Sequence, residues 1–288
     1  MAPLKLACLT ALAMLAFAAN SLLCRMALVE TTIDPASFTF WRLASGAVVL
    51  LGLMVTRNQI KPQTRLAILA HGNTASALAL LVYAAGFSFA YINMTTGAGA
   101  LILFGSVQLT MISWGLINGE RMTLLQWAGF TLALGGLILL LLPNAAVPSF
   151  SNALLMITAG VAWGVYSLLG KGTVRPIDAT AGNFIRATPM AVLLFIIVRP
   201  EGSADVAGVG YAVASGALAS GLGYALWYSI LPHIAAIKAA TLQLSVPVLA
   251  VLAGWLLLNE GVTYRMLASS LLVLGGVAMV IWVRNEAT

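Results

Sequence analysis

Ten stretches of about 20 apolar residues, joined by seams only a few residues long, fill this chain almost from end to end. Such a stretch matches the hydrocarbon thickness of a bilayer, and a backbone placed there must satisfy its own hydrogen bonds, so each is read as a spanning helix. The stretches run Leu4 to Leu28, Pro35 to Val55, Leu66 to Tyr91, Thr95 to Asn118 and Leu124 to Leu142, then Phe150 to Leu169, Ala179 to Val198, Val206 to Leu231, Ala235 to Leu258 and Tyr264 to Val283. The seams carry turn residues, as in ETTIDP, RNQIKPQT and LPNAAVPS, and no soluble domain fits between them. The expected fold class is an all-α integral membrane protein with ten transmembrane helices. Only 8% of the residues are charged, far below the roughly one-quarter usual in soluble domains.

Lys5 ahead of an apolar run would also suit a cleaved secretion signal. The run continues to Leu28, however, and the repeat described below needs it as a span. Cys8 and Cys24 lie within that segment and suggest packing, not a disulfide framework or a metal site.

Basic residues are retained on the cytoplasmic side. With the N-terminus inside, Lys5, Arg57, Lys61, Arg65, Arg121, Lys171, Arg175, Lys238 and Arg284 fall in the cytoplasm, against Arg25, Arg199 and Arg265 outside. Both termini are thus expected to be cytoplasmic, in a bacterial inner membrane. The net charge of +6 is an orientation signal, because no basic stripe with interleaved aromatics marks a nucleic-acid partner.

The chain also repeats itself. Sliding it by 140 residues aligns Ala84 to Leu142 with Tyr224 to Trp282 without a gap, and Glu120, Thr123, Gly135 and Gly136 meet Glu260, Thr263, Gly275 and Gly276. Towards the front of each half SLLCR (Ser21 to Arg25) mirrors SLLGK (Ser167 to Lys171), and FWR (Phe40 to Arg42) mirrors FIR (Phe184 to Arg186). The expected units are 1–145 and 146–288, each of five helices. Five is odd, so the second unit enters the membrane from the opposite side, and such inverted repeats mark secondary transporters.

This ordered, doubled set of motifs resembles the EamA-type branch of the drug/metabolite transporter superfamily over essentially the whole chain. The resemblance implies a secondary carrier of small metabolites. The aromatic-rich middle is most similar to the YddG-type exporters of aromatic and other neutral amino acids.

Physical roles can be assigned to the repeated features. Thr123 and Gln126 form a capping box, and Glu120 and Glu260 stand near the same helix starts. The glycine pairs remove side-chain bulk so that helices approach closely in lipid, with a dimer seam as one use. Arg42 and Arg186 sit about seven residues inside their helices, roughly 10 Å deep. A charge there faces a cavity, a partner or the headgroups, so gating or anchoring and contact with a solute carboxylate are both open.

The solute path is expected between the halves near the midplane. Trp163 and Tyr166 share a face of the sixth helix, and Phe17 and Asn20 occupy the matching places in the first. Tyr83 and Phe87 in the third helix answer Tyr224 and Trp227 in the eighth, while Gln108 and Gln243 offer mid-helix amides. Aromatic walls with a few polar groups suit a small neutral, partly apolar solute. Trp41, Trp127, Trp282 and also Trp227 suit an interfacial belt, whereas Trp163 lies too near mid-span.

No cofactor is expected. GVYSLLGKG has the wrong spacing for a phosphate-binding loop, every Asp and Glu lies at a seam or terminus, and His71, inside the third stretch, is the titratable group near neutrality, with packing or a cytoplasmic-side role. Proton antiport and downhill export are both compatible with this. An enzyme would need paired carboxylates or a nucleophile and base within a span, which are missing. The expected function is export of small neutral metabolites, above all amino acids, by alternating access, from a monomer or homodimer. Efflux of hydrophobic cations and a passive channel are the alternatives.

Overall fold

The computed structural model describes residues 1–58, 71–92, 96–141, 149–199, 205–258 and 263–282. Among the described residues ten helical spans are long and apolar enough to cross a membrane. They comprise α1 (Pro3–Glu30), α2 (Pro35–Asn58), α3 (Thr74–Tyr91), α4 (Thr96–Ile117), α5 (Leu124–Leu141), α6 (Phe150–Gly170) and α7 (Pro176–Val198), followed by α8 (Val206–Ala214), α9 (Gly223–Ile230), α10 (Ala236–Gln243), α11 (Ser245–Leu258) and α12 (Tyr264–Trp282). The eighth span joins α8 to α9 through a π-helical stretch, Ser215–Leu222, and the ninth is α10 with α11.

Local chemistry sets the helix starts. Asn73, Ser149 and Asp205 accept hydrogen bonds from Ser76, Asn152 and Gly208 N–H, satisfying amides that have no partner within their own helix. The expected box at Thr123 is present: Thr123 N–H donates to Gln126 Oε1 at 2.9 Å, and Gln126 N–H to Thr123 Oγ1 at 3.3 Å. Helix starts keep the step of the repeat, since α4 and α10 begin at Thr96 and Ala236, and α5 and α12 at Leu124 and Tyr264.

Contacts follow the same symmetry. The second span packs on the seventh and the fifth on the tenth, while the third and fourth lie against the sixth as α9 and α11 lie against α1. Exchanging the two halves maps these pairings onto themselves, as expected of five-helix units related by a pseudo-twofold axis. One glycine of each repeated pair serves the fifth-to-tenth seam: a Cβ on Gly276 would stand 2.3 Å from the Gly129 carbonyl oxygen, and one on Gly136 2.8 Å from Val273 N. Gly135 and Gly275 point into open space, so only half of each pair supports close approach within the chain.

Other expectations change. His71 is not inside the third helix but ahead of it, because Gly72 turns at φ 73° and Asn73 caps α3. The ninth span is broken at Leu244, where Pro247 lacks the N–H that would reach the Gln243 carbonyl one turn back. Lys61, Arg65, Glu260 and Arg284 lie outside the described residues.

Candidate functional site

Aromatic side chains from four spans converge between the halves. Trp163 on α6 is the hub: its ring centroid lies 4.9 Å from Tyr83, 4.7 Å from Tyr224, 5.2 Å from Phe17 and 5.6 Å from Tyr166. Its indole N–H donates to Gln243 Oε1 at 2.6 Å, so the end of α10 is tied to α6. The broken span thus delivers an amide to the middle of the bundle, where irregular backbone is tolerated beside a cavity.

These residues enclose a small chamber. Phe17, Asn20, Tyr83, Phe87, Trp163, Tyr224 and Gln243 line it together with Ser21, Leu103, Phe104, Val107 and Val246, around a volume of about 30 Å³. It adjoins a recess of about 120 Å³ whose wall shares Ser21, Phe87, Leu103, Phe104 and Val246 and extends to Arg25, Tyr91, Ala100 and Leu141. The recess therefore reaches the bundle end at which α1, α3 and α5 finish, here called the vestibule end.

The other end is sealed. Tyr228 O–H donates to the Tyr166 carbonyl at 2.9 Å, and Trp227 Nε1–H to Ser167 Oγ at 3.0 Å. Glu120 does not cap its own neighbouring helix. Its carboxylate accepts from Ala236 N–H at 2.7 Å and Ile237 N–H at 2.9 Å at the start of α10, and from Lys171 Nζ at 3.1 Å. Burial alone would push this carboxyl up, but the Ile237 and Ala236 amides and the Lys171 ammonium outweigh it and hold it below the usual glutamate range. Glu120 in this way ties the first half to the second.

Seven of the ten expected pathway residues surround the chamber, and three stand one layer back. Gln108 donates to the Ala240 carbonyl at 2.7 Å, bracing α10. Tyr166 stacks behind Trp163. Trp227 is fully buried against Phe17 and Ser167, which removes it from any interfacial belt, whereas Trp41, Trp127 and Trp282 are exposed.

The two matched arginines are not equivalent. Arg186 donates to the His71 carbonyl at 2.6 Å and to Gly182 at 3.0 Å, fastening the turn before α3 onto α7. His71 Nε2 lies 3.1 Å from Arg175 at the same sealed end. Arg42 instead is wholly buried. It donates to Ser220 Oγ at 2.9 Å, Tyr224 Oη at 2.5 Å and Tyr83 Oη at 3.3 Å. Ser220 reaches it because Gly216, in the π-helical stretch, lies so close to α2 that a Cβ there would meet the Arg42 carbonyl oxygen at 2.0 Å. Ser215 and Ser220 also donate to Asn20 Oδ1, at 2.6 and 3.3 Å. The serine–glycine run was the available signal for this network, but the widened turn that aims it was not.

Both halves match the model of the EamA-like transporter family, over residues 4–142 and 150–282. The uncharacterized protein PA1977 of Pseudomonas aeruginosa is 52% identical over 95% of this chain and 93% of its own length. The uncharacterized transporter YoaV of Bacillus subtilis is 25% identical over 86% of this chain and 87% of its own. A "Probable amino-acid metabolite efflux pump" of Salmonella typhimurium is 25% identical over 64% of this chain and 66% of its own. One solved structure, 18% identical, superposes with a TM-score of 0.81 over 96% of this chain and 98% of that one, and shows a shared fold. With a doubled family match spanning ten membrane helices, this chain belongs to the EamA-like transporter family of the drug/metabolite superfamily: it is a multi-pass membrane transporter and not an enzyme.

Proposed function

We propose that the chain exports small neutral amino acids, aromatic ones included, across the bacterial inner membrane by alternating access between the halves 1–145 and 146–288. The observation that carries this is the chamber: aromatic walls, the amides of Asn20 and Gln243, and no carboxylate among its lining residues, which suits a neutral zwitterion and offers a cation no counter-charge. The Salmonella relative's description points the same way. The excess of Lys and Arg at the sealed end supports cytoplasmic termini, and the vestibule then faces outward, as in a carrier that has released its solute. One chain holds the whole chamber, so a monomer suffices and a homodimer would carry two.

The test is competition in proteoliposomes. Labelled phenylalanine is loaded and challenged with excess amino acids, sugars, nucleotides and quaternary ammonium compounds. Saturable flux competed by large neutral amino acids is expected. Competition by cations alone overturns the proposal in favour of drug efflux, and flux that neither saturates nor shows counter-transport identifies a channel.

A further inference from the structure

Arg42 presents an unfinished electrostatic site. Its guanidinium keeps its proton inside a protein, the residue has 0% exposure, and its three hydrogen bonds all end on neutral hydroxyl oxygens. Nη1 has no hydrogen-bond partner, and among the described residues no carboxylate lies within ion-pair distance of it. A cation taken out of water without a counter-charge is costly, and charges retained within a bundle mark solute or ion paths.

The chamber wall supplies the second observation. Because Arg42 donates to the oxygens of Tyr83 and Tyr224, the protons of both hydroxyls must point elsewhere. Tyr224 O–H reaches Tyr83 Oη only at 3.5 Å, the outer limit of a hydrogen bond, and no acceptor among the described residues takes the proton of Tyr83. Both rings line the chamber, and the Arg42 guanidinium lies 5.2 Å from the centre of the Tyr83 ring. Two O–H donors, polarised by a buried cation behind them, thus border a cavity that lacks any negative group of its own.

We propose that Tyr83 and Tyr224 form a carboxylate subsite in the chamber, with Arg42 supplying the counter-charge through their hydroxyls. This deepens, and rests on, the reading of the chamber as an amino-acid path. The solute's carboxylate accepts from the two O–H groups, while its apolar side chain meets Trp163 and Phe17. Arg42 is a positioning residue: it does not line the chamber, and it acts by holding the tyrosine oxygens as acceptors so that their protons remain free for the solute.

Competition against labelled phenylalanine flux tests this with phenylalanine, phenylalaninamide, 3-phenylpropionate and phenethylamine, in chloride and again in sulfate. Phenylalanine is expected to compete roughly 10- to 100-fold better than its amide, the range for losing a hydrogen bond to a charged group. Tyr83→Phe and Tyr224→Phe keep the rings and are expected to shrink that ratio at least about threefold each, chiefly by weakening phenylalanine. Arg42→Gln is expected to abolish the ratio and Arg42→Lys to restore part of it; if either fails to fold, the tyrosine variants still decide. Equal competition by acid and amide, or ratios unmoved in both tyrosine variants, overturns the subsite while leaving amino-acid export standing. Saturable flux of labelled 3-phenylpropionate, measured in parallel, without phenylalanine flux supports the subsite and overturns the amino-acid reading; saturable flux of labelled phenethylamine alone overturns both. Loss of acid–amide discrimination together with a requirement for chloride assigns the counter-charge to chloride and overturns the proposal.

Discussion

Glu120→Gln should open the sealed end. In the structure one carboxylate, 20% exposed, holds two amides of α10 and the ammonium of Lys171. A hydrogen bond to a charged group contributes about 1.5–3 kcal/mol, charge at a helix start about 0.3–1 kcal/mol, and a partly exposed ion pair no more than about 1 kcal/mol. Glutamine keeps one acceptor oxygen but loses the charge and turns an NH₂ towards a backbone N–H. The expected loss is about 2–3 kcal/mol of the closed state, or about 30- to 150-fold in the opening equilibrium. Ser167→Cys, one turn in from Lys171 and nearly isosteric, reports that opening in a chain with Cys8 and Cys24 replaced. Its maleimide labelling without solute should accelerate by that factor in Glu120→Gln. An unchanged rate would refute the idea that Glu120 holds the halves together.

The pH dependence of this latch has a definite sign. The closed state holds the Glu120 carboxyl below its usual range, and opening returns it to the ordinary glutamate range. Protonation therefore favours opening, and the stabilisation of the closed state is fully present above the open-state value and lost as pH falls through the lower, closed-state one. Labelling of Ser167→Cys, taken relative to a fully exposed thiol so that the thiolate fraction cancels, should stay flat from about pH 8 to 5.5, so Glu120 is not a coupling group near neutrality. A steep rise between about pH 7 and 6 would contradict this.

Two further outcomes follow from packing and cavity geometry. Gly276→Ala should destabilise the protein by about 1–3 kcal/mol, the range for overpacking, because its Cβ would collide with the Gly129 carbonyl, whereas Gly275→Ala should be silent; thermal unfolding in detergent compares them, and equal losses would refute the assignment of faces. Trp163→Phe should lower transport about tenfold through loss of the hydrogen bond to the buried Gln243 amide, while surface insertion is unchanged; wild-type flux would remove Trp163 from the path.

Span count and repeat could be read from the chain because both depend on composition over long windows, and bilayer thickness leaves few alternatives. The aromatic members of the chamber were readable for a related reason: Trp163 and Tyr83 are large amphipathic groups placed mid-span, where nothing in lipid favours their polar atoms. Gln108, Tyr166 and Trp227 share that character, yet they stand behind the wall, since layer depth depends on side-chain direction across three helices. The repeat makes Arg42 and Arg186 equals, but Arg42 bonds Ser220 in the π-helical stretch whereas Arg186 bonds the turn before α3. Glu120 shows the same limit: its neighbours in sequence suggested a local cap, while the amides it accepts from are more than a hundred residues away.

The size of the chamber carries a last prediction. At about 30 Å³ it holds no more than one or two water molecules, so a solute enters only by parting the rings of Phe17, Tyr83, Trp163 and Tyr224. Those rings meet edge-on or tilted at 4.7–6.4 Å, contacts that contribute about 0.5–1.5 kcal/mol each beyond the area they bury. An aromatic side chain restores such contacts from within the cluster, and burying it gains a further 1.5–3 kcal/mol or so; glycine or serine restores nothing. Phenylalanine should therefore show a KM about 10- to 100-fold below that of glycine in counterflow. Trp163→Ala, which leaves a cavity where the hub stood, should narrow that difference by admitting the larger solute without the contacts that selected it. Equal KM values in the wild type would show that the rings do not close around the solute, and the path would then have to run through the recess at Arg25 and Tyr91 without entering the chamber.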